Sequence, residues 1–233
     1  MNTTNRSPDR AYRKTAVVVG ILYIIGTIAG ILSAFFTGPI FNDSDFLIKV
    51  SANQTQVIIG ALCVLMMGFS LAMVPVMLFP IFRKQNEALA LGAVLFRGAL
   101  EAVTYMAMGI IWLILIIVSQ AYSIAGAPEA ANFQVLGTLL LDANGPINTI
   151  LEIVFSLGAL MIYALFYQSK LIPLWLSGWG LIGALLYLAA GLLEMFGLDV
   201  GFLLAPLALQ EMVLALWLII KGFNPYAVDT ETA

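Results

Sequence analysis

Histidine is absent from this sequence, and Cys63 is the only cysteine among 233 residues. The missing imidazole excludes an axial-histidine haem and Ser-His-Asp catalysis; with one thiol besides, His/Cys zinc sites and intramolecular disulfides go too. Charge is nearly as scarce. Charged residues make up 10% of the chain and hydrophobic ones 62%, against about 25% and about 45–50% in soluble domains. Lipid is therefore the solvent for most of the protein. A net charge of −3 offers no basic face to nucleic acid. No nucleophile or metal-ligand constellation is present, so we expect no enzyme, no metal and no cofactor. Cys63, inside an apolar run, reads as a small core residue. The ten methionines read as flexible packing, because no MxxM-rich segment outside the membrane accompanies them.

What remains is apolar sequence in lengths that matter. A helix needs roughly 20 mainly apolar residues to cross the hydrocarbon core. Residues 15–37, 56–82, 88–118, 146–167, 173–196 and 202–220 meet that requirement. Backbone groups in lipid must bond internally, so these segments predict an all-α, polytopic bundle of six transmembrane helices. Residues 15–222 form the membrane domain, 1–14 a basic N-terminus and 223–233 a short acidic tail expected to be disordered. The third span is overlong, and Pro75 and Pro80 predict a kink or an early end in the second. The first apolar stretch exceeds the about 7–15 residues of a cleaved signal core, and "ILSAFFTG" lacks a small-x-small cleavage site, so a retained signal anchor is expected.

Orientation follows from lysine and arginine. Arg6, Arg10, Arg13, Lys14, Arg83, Lys84, Lys170 and Lys221 fall on one side, and Lys49 alone on the other. Both termini are therefore expected in the cytoplasm. The long outer loop has a helix-like pattern between Pro128 and the turn signal Asn144-Gly145-Pro146, suited to capping the bundle, lying in the interface or simply connecting spans. No internal repeat is visible in the sequence. Three spans plus three would give halves of inverted topology, as in many transporters.

The polar residues inside the spans set up the functional question. Arg97 and Glu101 lie four apart in the third, Glu152 in the fourth and Glu211 in the sixth, while Glu194 is near the outer end of the fifth. Each deep charge costs about 2.5–3.5 kcal/mol on insertion scales, so these side chains must face the interior and find partners. Arg97 and Glu101 share a helix face, which Thr104, Tyr105 and Met108 continue. Asn144, Asn148, Glu152 and Ser156 recur every four residues as a polar stripe. Gln210 stands beside Glu211, one turn after Pro206, whose missing N–H leaves a carbonyl on the previous turn without its usual partner. Arg97 can balance one of three deep carboxylates. A proton, a cation or water completes the set, or the network is purely structural. Glu152 reads as the exchangeable group, because the stripe gives it a polar route outward.

Among smaller features, Gly26 and Gly30, and Gly180 with Gly183, fit close helix crossings. Trp175 and Trp179 read as interface anchors.

Several stretches together resemble a bacterial integral-membrane family catalogued as domain of unknown function 4386. They are "RKTAVVVGILYIIGTIAGILSAFF", "FRGALEAV", "LIPLWLSGWGLIGALLYLAAGLL" and "QEMVLALWLIIKGF", and the resemblance runs from about Arg13 to Phe223. It implies a six-helix, multi-pass protein of a bacterial plasma (inner) membrane. It also implies that Arg97, Glu101 and Glu211 are family features, and it assigns no activity. Three functions stay open from the residues. They are a small proton- or cation-coupled carrier taking a small-molecule ligand, a non-catalytic membrane partner or sensor with a structural cluster, and an intramembrane enzyme working through carboxylates alone.

Overall fold

The computed structural model describes residues 8–224, with side-chain surroundings from residue 12 onward, those of 127 and 128 excepted. Arg6 and the tail beyond 224 lie outside the described residues, and the surroundings of Arg10 with them. The described chain is helical throughout. It comprises α1 (Pro8–Phe41), α2 (Phe46–Ala52), α3 (Gln54–Phe82), α4 (Glu87–Ala93), a π-helical segment (Val94–Leu100) and α5 (Glu101–Ile124), followed by α6 (Ala127–Asp142), α7 (Asn144–Ser169), α8 (Leu174–Glu194), a 3-10 turn (Gly201–Leu204) and α9 (Ala205–Ile220).

Six helical stretches among the described residues are long and apolar enough to cross a membrane, and each corresponds to an expected span. Their outward faces agree. Ile31, Phe35, Ile117, Ile182 and Leu216 are all more than half exposed, whereas the largest fully buried side chain is Arg97. A water-soluble fold would not show so much apolar surface. The chain is a multi-pass membrane protein.

Two details, both at prolines, differ from the sequence reading, and the helix expected in the outer loop is present. Pro75 and Pro80 do not end α3 early; the helix runs through both to Phe82, next to Arg83 and Lys84. The outer loop is largely helix, because α6 runs into α7 with only Ala143 between them. Asn144 makes this possible by donating to the Leu141 carbonyl of α6 at 2.8 Å, and Pro146 sits in the first turn of α7, where its missing N–H costs nothing. Pro206 likewise occupies the first turn of α9 behind a 3-10 turn, so no α-helix is broken there. The third stretch, Glu87–Ile124, has 38 residues, or about 57 Å of helix at about 1.5 Å per residue. It extends well past a hydrocarbon core of about 30 Å.

The described chain forms two compact units, and they do not divide it into the first three and last three spans. One takes Ser70–Glu101 together with the residues up to Ile24 and those from Glu152 onward. In it α7 and α8 run antiparallel in a register set by glycines. Gly180 lies against the ring of Tyr163, and Gly191 against Glu152 and Ile153. Gly183 does the same against the Leu207 backbone, so Gly180 and Gly183 both mark close crossings. Arg13 closes the far end of α9 by donating to the carbonyls of Leu218, Ile219 and Ile220 at 3.3, 2.7 and 3.1 Å. Those carbonyls belong to the last turn, which has no intrahelical donors left.

The other unit takes Ile25–Phe69 and Ala102–Leu151. Val50, Val57, Val64, Leu115 and Trp112 lie in its apolar core. Gly30 of α1 faces Met67 of α3, and Ser33 donates to the Gly60 carbonyl at 2.9 Å, so α1 and α3 pack closely. In the loop after α1, Lys49 pairs with Asp43. That bond, with the Asp45 N–H, holds the Asp43 carboxyl below its ordinary range.

Candidate functional site

Arg97 sits on the π-helical segment, inside a stretch whose sequence would allow an unbroken α-helix. A π segment is rare, forfeits regular hydrogen bonding and recurs at functional positions. Here it meets Gly158 of α7, where an added Cβ would stand 2.6 Å from the Arg97 nitrogen and 2.7 Å from its Cβ. Glycine therefore lets α7 lie directly on the segment that carries the arginine.

The guanidinium is fully buried and Glu101 is 1% exposed. Nη1 of Arg97 donates to both oxygens of Glu101 at 3.1 and 3.0 Å, and Nη2 donates to Glu211 Oε1 at 2.8 Å. The ring of Phe155 covers the guanidinium with its centroid 4.0 Å from Cζ, and the Tyr23 ring lies 5.9 Å away. The structure thus joins α9 to the third membrane stretch through one arginine and two carboxylates. Removing such ions from water costs several kcal/mol each, and only close pairing offsets it. One positive charge facing two carboxylates leaves a surplus negative charge, which a proton or a cation can neutralise.

The remaining polar residues separate into distinct places. Gln210 does not join Glu211, because neighbours on a helix point about 100° apart. Its amide accepts from the Tyr163 hydroxyl at 2.6 Å and donates to the Leu176 carbonyl at 3.0 Å, tying α9 to α7 and α8. Ser156 donates to the Glu152 carbonyl one turn back. Glu152 faces Gly191 of α8, and its Oε2 is buried with no hydrogen-bond partner. Asn144 accepts from the Trp112 indole at 2.9 Å. Tyr105 packs its ring on Gly68. Thr104 and Asn148 are half-buried. Trp175 is exposed beside Trp217, as an interface anchor would be.

Sequence reasoning passed over Tyr23, Phe155 and Tyr187. Tyrosine favours the membrane–water interface, so tyrosines in the middle of apolar runs were the available signal. Phe155 carried none. Among the described residues no group of three or more His, Cys, Asp or Glu side chains is gathered as a metal ion would require.

Searches of curated proteins and of solved structures each return no match. The profile of a family described as "Domain of unknown function (DUF4386)" matches residues 18–222, which include Arg97, Glu101, Glu152 and Glu211. The chain belongs to that family.

Proposed function

We propose that the protein is a small carrier, coupled to a proton or a cation, that works without enzymatic chemistry. The observation that carries this reading is the buried triad, in which a single arginine faces two carboxylates across separate membrane helices. Intramembrane ionisable groups mark ion and proton pathways in many transporters. The π-helical seat of Arg97 adds support, since a purely structural pair has no need of an irregular backbone. Reconstituted vesicles containing a pH dye test it. Wild type should dissipate an imposed proton gradient or acidify the lumen under a sodium or potassium gradient. Glu211→Gln and Glu152→Gln, which keep shape and hydrogen bonding, should each reduce that flux to the level of empty vesicles. Flux unchanged in both variants would sink the reading.

A second reading is a membrane partner or sensor whose triad only locks helices together. The direct pairing of Arg97 with both carboxylates supports it, since interhelical polar contacts do serve that purpose. Wild-type vesicles with no flux under any of these gradients would favour it.

We further propose that both termini face the cytoplasm and that the membrane is a bacterial plasma membrane; the basic residues at 83–84, 170 and 221 support the orientation. A reporter fused after residue 233 should read cytoplasmic, and one inserted at 126 should read external. The same side for both would overturn the orientation.

A further inference from the structure

Glu152 lies one helical turn along α7 from Phe155, whose ring covers the Arg97 guanidinium. In the antiparallel register of α7 and α8, Phe155 packs against Tyr187 with ring centroids 4.6 Å apart and the rings tilted by 50°. One turn further Glu152 lies against Gly191, where an added Cβ would stand 3.0 Å from the Glu152 Cβ and 3.4 Å from its Oε2. Glu194 is three residues past Gly191, on the same face of α8. Side chains lean toward the N-terminus of their own helix. Glu194 therefore leans back toward Gly191, and Glu152 leans toward the end of α8 that carries Glu194, so the two carboxyl groups converge. Glu152 is 8% exposed, and its Oε2 is buried without a hydrogen-bond partner.

We infer that Glu152 and Glu194 form a carboxyl–carboxylate pair that binds one proton, a second site set apart from the Arg97 triad by the packed rings of Phe155 and Tyr187. Two carboxylates this close repel unless a proton or a cation lies between them. A proton fits these surroundings better. A hard cation takes about six or more oxygen ligands, and the neighbours here are Ile153, Gly191 and aromatic rings. The shared proton makes one carboxyl a donor to the other and gives the buried Glu152 oxygens hydrogen bonding. The titratable groups facing Glu152 are Glu194 and Tyr187 of α8. Arg97, Glu101 and Glu211 also act electrostatically on Tyr187, whose ring partner Phe155 covers the guanidinium. The pair deepens the carrier reading by giving it a proton-loading station on one side of an aromatic barrier and the triad on the other.

Infrared spectroscopy of the full chain in detergent at neutral pH reads this proton directly, as the carbonyl stretch of a protonated carboxyl that moves in heavy water. Wild type should show the band. Glu152→Gln and Glu194→Gln should each abolish the same band, the double variant should lose nothing more, and Glu211→Gln should keep that band, whereas a band from a proton held in the triad would be lost in Glu211→Gln instead. Glu194 is only half-buried, so its variant keeps the test available if Glu152→Gln folds poorly. A band surviving in both single variants, or lost in only one of them, would overturn the pair. Because the band reports equilibrium protonation, vesicles without flux but with the band intact would count against the carrier and leave the pair standing.

Discussion

Replacing Arg97 with leucine should destabilise the protein by about 3–5 kcal/mol, the usual cost of breaking a buried ion pair from one side. The leucine leaves two carboxylates, Glu101 and Glu211, facing each other's charge without the guanidinium that now touches both. Removing one of them as well should help only in part, because the other remains stranded. The triple variant Arg97→Leu, Glu101→Gln, Glu211→Gln should therefore recover most of the loss. Isosteric replacement of all partners in a buried network is often neutral, whereas partial removal is not. Thermal melts in a mild detergent would show the order wild type, triple, double, single. A triple variant no more stable than Arg97→Leu would mean that arginine holds the fold by packing alone, through Phe155 and Tyr23.

A single methyl group at position 158 should cost about 1–3 kcal/mol, the range for overpacking a filled interior. The reason is what the new Cβ would meet. It would approach the nitrogen of Arg97 at 2.6 Å and its Cα at 3.0 Å, and backbone cannot swing aside as a side-chain tip does. Either α7 backs away or the π segment shifts, and the second movement carries the guanidinium off its carboxylates. Gly178 supplies the comparison, since a Cβ there meets nothing within 4 Å. Gly178→Ala should be neutral or stabilise by up to about 1 kcal/mol through helix propensity alone. Equal melting temperatures for the two alanine variants would remove the close approach of α7 from the account.

How much of this was legible in the sequence depends on the physical scale of each feature. Span number and type were, because apolar length in lipid leaves helix as the available answer. The pairing of Arg97 with Glu101 was also legible, since an i, i+4 spacing shares one face in either an α- or a π-helical turn. The partner of Glu211 followed neither from charge counting, which let Arg97 balance one of three carboxylates, nor from spacing. It takes tertiary packing to bring α9 to residue 97. The π segment left no trace in residue types, and neither did the close approach of Gly158 to it. Glu194 was read only as a group near the outer end of the fifth span. The register of α7 on α8 turns it toward Glu152, and a register depends on which glycines face which rings. The joint between α6 and α7 is a one-residue turn at Ala143; the Asn-Gly-Pro signal marked a turn but not its shortness, which comes from Asn144 bridging the two helices end to end.

The two carboxylates of the triad arrive at different times. Glu101 follows Arg97 by four residues, but Glu211 follows by 114. At a synthesis rate of about 5–20 residues per second, the arginine waits roughly 6 to 23 s for its second partner. Throughout that interval the third membrane stretch has to settle into lipid beside an unfinished chain. Glu101 is the counter-ion already at hand, one turn away on the same helix, so the segment enters the bilayer as a neutral pair and not as a bare cation. The surplus negative charge of the triad therefore appears only when α9 docks and brings Glu211 to the arginine.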